Sequence, residues 1–109
     1  MITVKITKEQ SGRIHSFEMA GHANFAEHGK DLVCAAASAV SFGAVNAIIA
    51  LTGETPEIHQ GSDGGYLKVT FLNIPETNYD IQLIVQAMIV SLQTIEQDYG
   101  QHIKLIFNR

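Results

Sequence analysis

The chain has 109 residues, 46% of them hydrophobic and 17% charged, and a net charge of −4. This length and composition predict one ordered domain over residues 1–109 with a single core, and they exclude a disordered segment. The negative charge argues against direct nucleic-acid binding, which normally uses a basic face. A single cysteine cannot form an internal disulfide, so we expect a cytoplasmic protein.

The first twenty residues have the pattern of a β-hairpin. Apolar and polar residues alternate from Ile2 to Thr7, which is the period of a half-buried strand. Extended character resumes from Arg13 to Ala20, but there the alternation is broken, because Ile14 falls on one face and Phe17 on the other. A β-bulge, or a strand covered on both sides, would explain the break.

A long apolar helix is predicted from Leu32 to near Thr52 and Gly53. Asp31 is its predicted N-cap, and a capping carboxylate commonly accepts the N–H of the third helical residue, here Cys34. The run from Leu32 to Leu51 has no charge and is long enough to span a bilayer. Its alanines and polar interruptions favour a buried core or interface helix instead, so we expect no membrane partner.

Two strands, a second helix and a last strand complete the chain. Strands are predicted from Pro56 to Gln60 and from Tyr66 to Leu72, on either side of a glycine-rich turn. The second helix is capped by Thr77 or Asn78 and ends before Gly100, with an apolar stripe at three- and four-residue spacing. His102 to Phe107 alternates like a strand.

The resulting order, ββαββαβ, predicts an α+β fold. We expect a two-layer domain with a mostly antiparallel sheet of about five strands. Both helices are expected to cover one face of that sheet.

Cys34 and His22 form the candidate reactive pair. Cys34 lies in the first turn of the predicted helix, where the helix dipole favours a thiolate. The unpaired amides of that turn are candidate donors to an oxyanion. His22 follows a glycine twelve positions earlier and is a candidate general base. The alternative is that Cys34 is a small buried residue and His22 a structural one.

Residues 24–30, between His22 and the helix, are predicted to be a loop able to act as a lid. Phe25 lies on this loop. His28 could join His22 and Cys34 in a thiol-redox or metal module. Their spacing is unlike that of common zinc modules, so we expect no metal and no cofactor.

Four other polar residues receive minor assignments. Ser38 falls on the same helix face as Cys34, one turn later, where it would orient substrate or permit close packing. His15, His59 and His102 lie in strand-like segments and are predicted to be surface residues.

Taken together, the motif resembles the signature of the ribosomal-processing cysteine proteases, the Prp family. The residues that carry the resemblance are Gly21-His22-Ala23, Gly29, Asp31, Cys34-Ala35-Ala36 and Ser38. The opening Met1 to Val4 and the late stretch Met88 to Glu96 are also similar to that family, so the likeness spans the chain. Ala37 is smaller than the branched residue expected at its position.

The resemblance implies a cytoplasmic, homodimeric cysteine endopeptidase. Its substrate would be large-subunit ribosomal protein twenty-seven, a ribosomal precursor from which it removes an N-terminal extension after a Phe-rich segment. By position Cys34 would be the nucleophile and His22 the general base, with Asp31 and Ser38 as supporting residues. Gly21, Asn24, Phe25 and Gly29 would belong to the substrate loop, and Phe25 is expected to close over the apolar pocket that a Phe of the substrate needs. A non-catalytic ribosome-assembly binding module is the alternative that remains open.

Overall fold

The protein forms a five-stranded sheet with two helices, described by a computed structural model over residues 1–27, 30–62, 64–75 and 78–109. The strands and helices are listed here in chain order. They are β1 (Ile2–Lys8), β2 (Ile14–Ala20), α1 (Leu32–Thr52), β3 (Glu57–Gln60), β4 (Tyr66–Thr70), α2 (Tyr79–Tyr99) and β5 (Ile103–Asn108).

The sheet has the strand order β3-β4-β2-β1-β5. The pairs β3–β4, β4–β2 and β2–β1 are antiparallel, whereas β1 and β5 run parallel, with Ile2 opposite Ile103. Parallel neighbours need a long crossover connection, and here the rest of the chain lies between β1 and β5. The predicted α+β fold class, with its order ββαββαβ, is confirmed.

One face of the sheet is buried and the other is polar. In β1 the residues Ile2, Val4 and Ile6 are buried while Lys5 is exposed, as the strict alternation predicts. The helices supply the second layer through buried residues at helical spacing. These are Val33, Ala37, Ser41, Val45 and Ile48 in α1 and Ile81, Val85, Met88, Ile89 and Leu92 in α2.

The broken alternation in β2 is a β-bulge. Thr7 pairs with Ser16 but the next residue, Lys8, pairs with Ile14, so the register shifts by one residue at His15. A bulge places one extra residue in a strand and returns the following side chains to the other face. Ile14 and Phe17 are consequently both buried.

Both helices have the predicted caps. The Asp31 side chain accepts the N–H groups of Val33 and Cys34, and Gly53 ends α1 with φ of 74°. Of the two candidate caps for α2, Asn78 accepts the N–H of Ile81, while Thr77 lies outside the described residues.

Six strand boundaries differ from those predicted, by one or two residues. β1 ends at Lys8, β2 begins at Ile14 and β5 ends at Asn108. β3 begins at Glu57 and not at Pro56, which has no N–H to donate to a ladder. β4 ends at Thr70 and β5 begins at Ile103.

α1 is long and apolar enough to cross a membrane by length and composition alone. Core helices of globular proteins pass the same test, and α1 packs a buried stripe into this fold. Its outer surface includes Leu32 and Leu51, which are 65% and 77% exposed.

Candidate active site

The end of β2 turns sharply at Gly21 and directs His22 out of the sheet. Gly21 has φ of +96°, and a Cβ at this position would overlap the carbonyl oxygen of Met1. Both the backbone conformation and the close approach therefore require glycine. The Gly21 N–H donates to the carbonyl of Gly65 at 2.9 Å, which joins this turn to the start of β4.

The imidazole of His22 lies against the backbone of Gly65. A Cβ at Gly65 would stand 2.8 Å from His22 Nε2 and 3.0 Å from its Cε1, so a larger residue would displace the ring. His22 itself is exposed. The glycine-rich turn before β4 thus sets one boundary of the position that the histidine can occupy.

Asp31 ties the segment after His22 to the start of α1. Its Oδ1 accepts the N–H groups of Val33 at 2.9 Å and Cys34 at 3.0 Å. Its Oδ2 accepts those of Phe25 at 2.9 Å and Ala26 at 3.3 Å. The side chain therefore caps the helix and clamps the loop with the same carboxylate.

The electrostatics of Asp31 follow from these contacts. Burial alone would raise the pKa of the carboxyl group, but the N–H donors of Cys34, Phe25, Ala26 and Val33 together outweigh it. The pKa of Asp31 is consequently held below its ordinary value of 3.8, because donors to a carboxylate stabilise its charged form.

Cys34 lies half-buried on the first turn of α1, and its Sγ accepts the backbone N–H of Ala23 at 3.3 Å. Ala23 directly follows His22, so the bond brings the two candidate reactive residues to one place. Three of the helix-start N–H groups that are candidate oxyanion donors, those of Val33, Cys34 and Ala35, already have an acceptor. Asp31 already accepts all three, the last through its backbone carbonyl at 3.0 Å.

A cavity of about 580 Å³ opens beside this pair. Its wall includes His22, Asp31, Cys34 and Ser38, so the structure brings these four predicted residues together. Apolar side chains line its interior, and the turn between β3 and β4 contributes to its rim. The apolar contributors include Ile2, Met19, Ala37, Phe42 and Leu67, and the rim includes Gln60, Gly61, Gly64, Gly65 and Tyr66.

The predicted substrate-loop residues are placed differently from one another. Gly21 and Asn24 line the cavity, and Asn24 has a positive φ of 55°, which asparagine tolerates better than most residues. Phe25 is not among the lining residues, and its ring packs edge-on against Tyr99 at 5.5 Å and His102 at 5.3 Å. Gly29 lies outside the described residues.

His102 is a residue that sequence reasoning assigned to the surface, and that assignment is wrong. It is half-buried, and its Nδ1 lies 2.9 Å from the carbonyl oxygen of Ala23. No local signal could have revealed this contact, because it joins residues 79 positions apart. Of the other two histidines assigned to the surface, His59 is exposed as predicted and pairs with Glu57. His15 is half-buried, so its assignment to the surface is wrong as well.

Among the described residues, no three His, Cys, Asp or Glu side chains lie close enough together to hold a metal ion. His28, the third member of the alternative metal or redox module, lies outside that part of the chain. The site of the described residues thus combines a thiol and an imidazole at the wall of one cavity, and these are the groups that nucleophilic attack on a carbonyl carbon requires.

Known proteins are similar to this chain in sequence and fold over nearly their whole length. The profile of the family described as Cysteine protease Prp matches residues 1–104. The ribosomal processing cysteine protease Prp of Bacillus subtilis is 50% identical over 99% of this chain and 98% of its own. The Staphylococcus aureus protein of the same name is 49% identical over 96% of this chain and 97% of its own.

Two crystal structures of the S. aureus protease Prp also superpose on this chain. The complex with a covalently linked product peptide has a TM-score of 0.91 at 49% identity, covering 99% of this chain and 100% of that one. The complex with a substrate peptide has a TM-score of 0.87 at 46% identity, with the same coverage. The chain accordingly belongs to the cysteine protease Prp family and is a cysteine peptidase.

Proposed function

We propose that this chain removes the N-terminal extension of large-subunit ribosomal protein twenty-seven, cutting after a Phe-rich segment with Cys34 as nucleophile and His22 as general base. The observation that carries the proposal is the shared cavity, which His22 and Cys34 both line, together with the hydrogen bond from the Ala23 N–H to Cys34 Sγ. The relatives are named as ribosomal processing proteases, which supports a ribosomal substrate.

The reaction proceeds in two halves. His22 takes the thiol proton, and the Cys34 sulfur adds to the scissile carbonyl carbon, moving one electron pair onto the carbonyl oxygen. As that oxyanion collapses, the C–N bond breaks and His22 returns its proton to the leaving amine. Water, deprotonated by His22, then attacks the thioester and releases the acid and free Cys34. The covalently linked product peptide of the S. aureus relative supports a covalent intermediate.

The shape and charge of the site support the proposed substrate. A Phe side chain needs an apolar pocket, and Met19, Phe42 and Leu67 line the cavity that contains Cys34. The chain carries a net charge of −4, which favours encounter with a basic ribosomal protein. We assign the recognition of the Phe-rich segment to this apolar part of the cavity.

The direct test is incubation of the purified protein with the extended ribosomal protein, followed by intact-mass measurement. We expect wild-type protein to release the extension. Cys34→Ala and His22→Ala are each expected to lower the cleavage rate by about 10⁴-fold, as loss of a nucleophile or its base commonly does. His59→Ala, which changes an exposed histidine of β3, is the matched control and should retain the full rate.

The remaining outcomes of this test are also informative. Stable association of the two proteins without any truncated product would contradict the protease proposal and support an assembly-binding role. Replacing the Phe residues of the extension by Ala tests the specificity separately. An unchanged cleavage rate on that substrate would contradict the proposed Phe recognition while leaving the Cys–His chemistry in place.

We further propose a homodimer in the cytoplasm. A strip of exposed, mostly small residues along α1 supports close approach of a second copy. It consists of Leu32, Ala35, Ala39, Gly43, Asn46 and Ala50.

Sedimentation equilibrium tests the dimer. It should give twice the chain mass for wild type and one chain mass for Ala39→Glu. Ala87→Glu, an exposed position on α2, is the control and should stay dimeric. Cell fractionation tests the location.

A further inference from the structure

Ala23 is held from both sides by groups that are distant in the sequence. Its N–H donates to Cys34 Sγ at 3.3 Å, and its carbonyl oxygen lies 2.9 Å from His102 Nδ1. The residue is only 2% exposed. Two hydrogen bonds at one buried residue leave little freedom for the backbone between His22 and Asn24, so the direction of the Ala23 N–H is set.

His102 is itself anchored by the backbone around it. Its N–H donates to the carbonyl of Tyr99 at 2.8 Å, and its carbonyl accepts the N–H of Ile2 at 2.9 Å. The ring also makes an edge contact with Phe25. Because a carbonyl oxygen can only accept, the proton of this hydrogen bond is on Nδ1 of His102. The ring is not among the residues that line the cavity, so His102 acts through Ala23.

Within the described part of the chain, the Ala23 N–H is the backbone group that donates to the reacting sulfur, Cys34 Sγ. The N–H groups of Val33, Cys34 and Ala35 at the start of α1 already donate to Asp31. When Cys34 Sγ adds to a carbonyl carbon, the oxygen that gains the negative charge lies one bond beyond the new S–C bond. A donor already in contact with the sulfur lies within reach of that oxygen, which is the requirement for oxyanion stabilisation.

We propose that His102 is a positioning residue, which holds the Ala23 carbonyl so that the Ala23 N–H is presented to Cys34 and to the oxyanion formed there. This inference rests on the proposed cysteine-protease chemistry at Cys34. His102 lies between α2 and β5 and does not line the cavity. The proposal therefore gives this junction a role in positioning an oxyanion donor.

Two variants distinguish the effect of the His102 hydrogen bond on kcat from the effect of its ring packing. His102→Asn keeps an N–H donor near the position of Nδ1 and loses the ring. His102→Phe keeps an aromatic ring against Phe25 and loses the donor. With the extended ribosomal protein as substrate, we expect His102→Phe to lower kcat on the order of tenfold, the effect of one lost positioning hydrogen bond. KM should be little changed, and His102→Asn should restore most of kcat.

The outcomes of these variants distinguish the two proposals. If the wild-type protein cleaves and His102→Phe has the same kcat, the proposed role of His102 is overturned and the proposed function is not. An equal loss in both variants would overturn it as well, because ring packing would then be the cause. Absence of cleavage by the wild-type protein would instead contradict the proposed function. Thermal unfolding of each variant identifies any loss that comes from unfolding.

A backbone variant tests the Ala23 N–H itself. Because Cys34 is the only cysteine, residues 1–33 can be joined as a thioester to residues 34–109 by native chemical ligation. Replacing Ala23 by lactic acid in the first piece exchanges its N–H for an ester oxygen. We expect kcat of the refolded ester protein to fall by about 10²-fold, as for loss of one oxyanion donor. Equal kcat in the ester and the all-amide protein assembled the same way would overturn the assignment.

Discussion

The carboxylate of Asp31 holds the backbone N–H of Cys34 at 3.0 Å with one oxygen and that of Phe25 at 2.9 Å with the other. Asp31 therefore bridges helix and loop, and within the described residues its carboxylate accepts from Phe25, Ala26, Val33 and Cys34 but not from His22. This bridge fixes the distance between the backbone of Cys34 and the loop backbone at Phe25 and Ala26. A supporting role for Asp31 is thus one of geometry.

Asp31→Asn is expected to lower kcat/KM on the order of tenfold. The substituted amide has one accepting oxygen, so either the helix-start pair of N–H groups or the loop pair loses its acceptor. Cleavage assays with purified variants measure the effect. Asp80→Asn, which changes the first-turn acid of α2, is the matched control. Equal activity in the two variants would show that the bridge does not matter for catalysis.

Stability should also respond to acid through Asp31. Burial opposes ionisation, but the backbone donors outweigh it and hold the pKa below 3.8. A carboxyl group with a lowered folded-state pKa stabilises the fold above its ordinary pKa, and this contribution is lost as pH falls through the folded value. Urea unfolding should therefore show a gap between wild type and Asp31→Asn near neutral pH that narrows below about pH 4. A gap that stays constant into strong acid would be inconsistent with this assignment.

Gly65→Ala and Gly64→Ala form a matched pair for the position of His22. Both glycines have positive φ, +73° and +77°, but only the Cβ at Gly65 would meet the imidazole, whereas the Cβ at Gly64 meets nothing within 4 Å. Each substitution should cost about 1–2 kcal/mol of backbone strain. We expect only Gly65→Ala to reduce kcat/KM further, by about a hundredfold, as for a misplaced catalytic group. Similar activities in the two variants would argue against a restraint on His22.

Gln82→Leu should destabilise the fold at the β-bulge. The Gln82 side chain accepts the N–H of Ile14 at 2.8 Å and donates to its carbonyl at 3.0 Å. Leucine would leave both half-buried backbone groups unpaired, at a cost of about 2 kcal/mol in the free energy of unfolding. Chemical denaturation measures it. Gln97→Leu, an exposed position on the same helix, should have a much smaller effect; equal effects would mean that the paired contact is not responsible.

Local patterns were sufficient to predict the elements of the fold. The alternation in β1 and the cap at Asp31 are properties of adjacent residues, and the structure has both. The break in β2 left two explanations, because a bulge is defined by the register of the partner strand, here Lys8 against Ile14. Strand ends also depend on their partner strands, which is why six of them differ from the prediction by one or two residues.

The residues of the candidate site likewise fall into those that local sequence could predict and those that it could not. The His22 and Cys34 pair was a candidate from spacing and from the family resemblance, and both line one cavity. The contacts of His102 with Ala23 and of Gly65 with His22 arise from packing between distant segments, and no residue pattern near either position signals them. Phe25 faces Tyr99 and His102 for the same reason.

The parallel pairing of β1 with β5 has a consequence for folding. The two strands are separated along the chain by β2, α1, β3, β4 and α2, yet they lie side by side with Ile2 opposite Ile103. Bringing together two segments so far apart costs more chain entropy than pairing neighbours, and contacts between distant residues slow folding. We therefore expect the hairpin of β1 and β2 to form before β5 docks, and the contact of His102 with Ala23 to form with that last step.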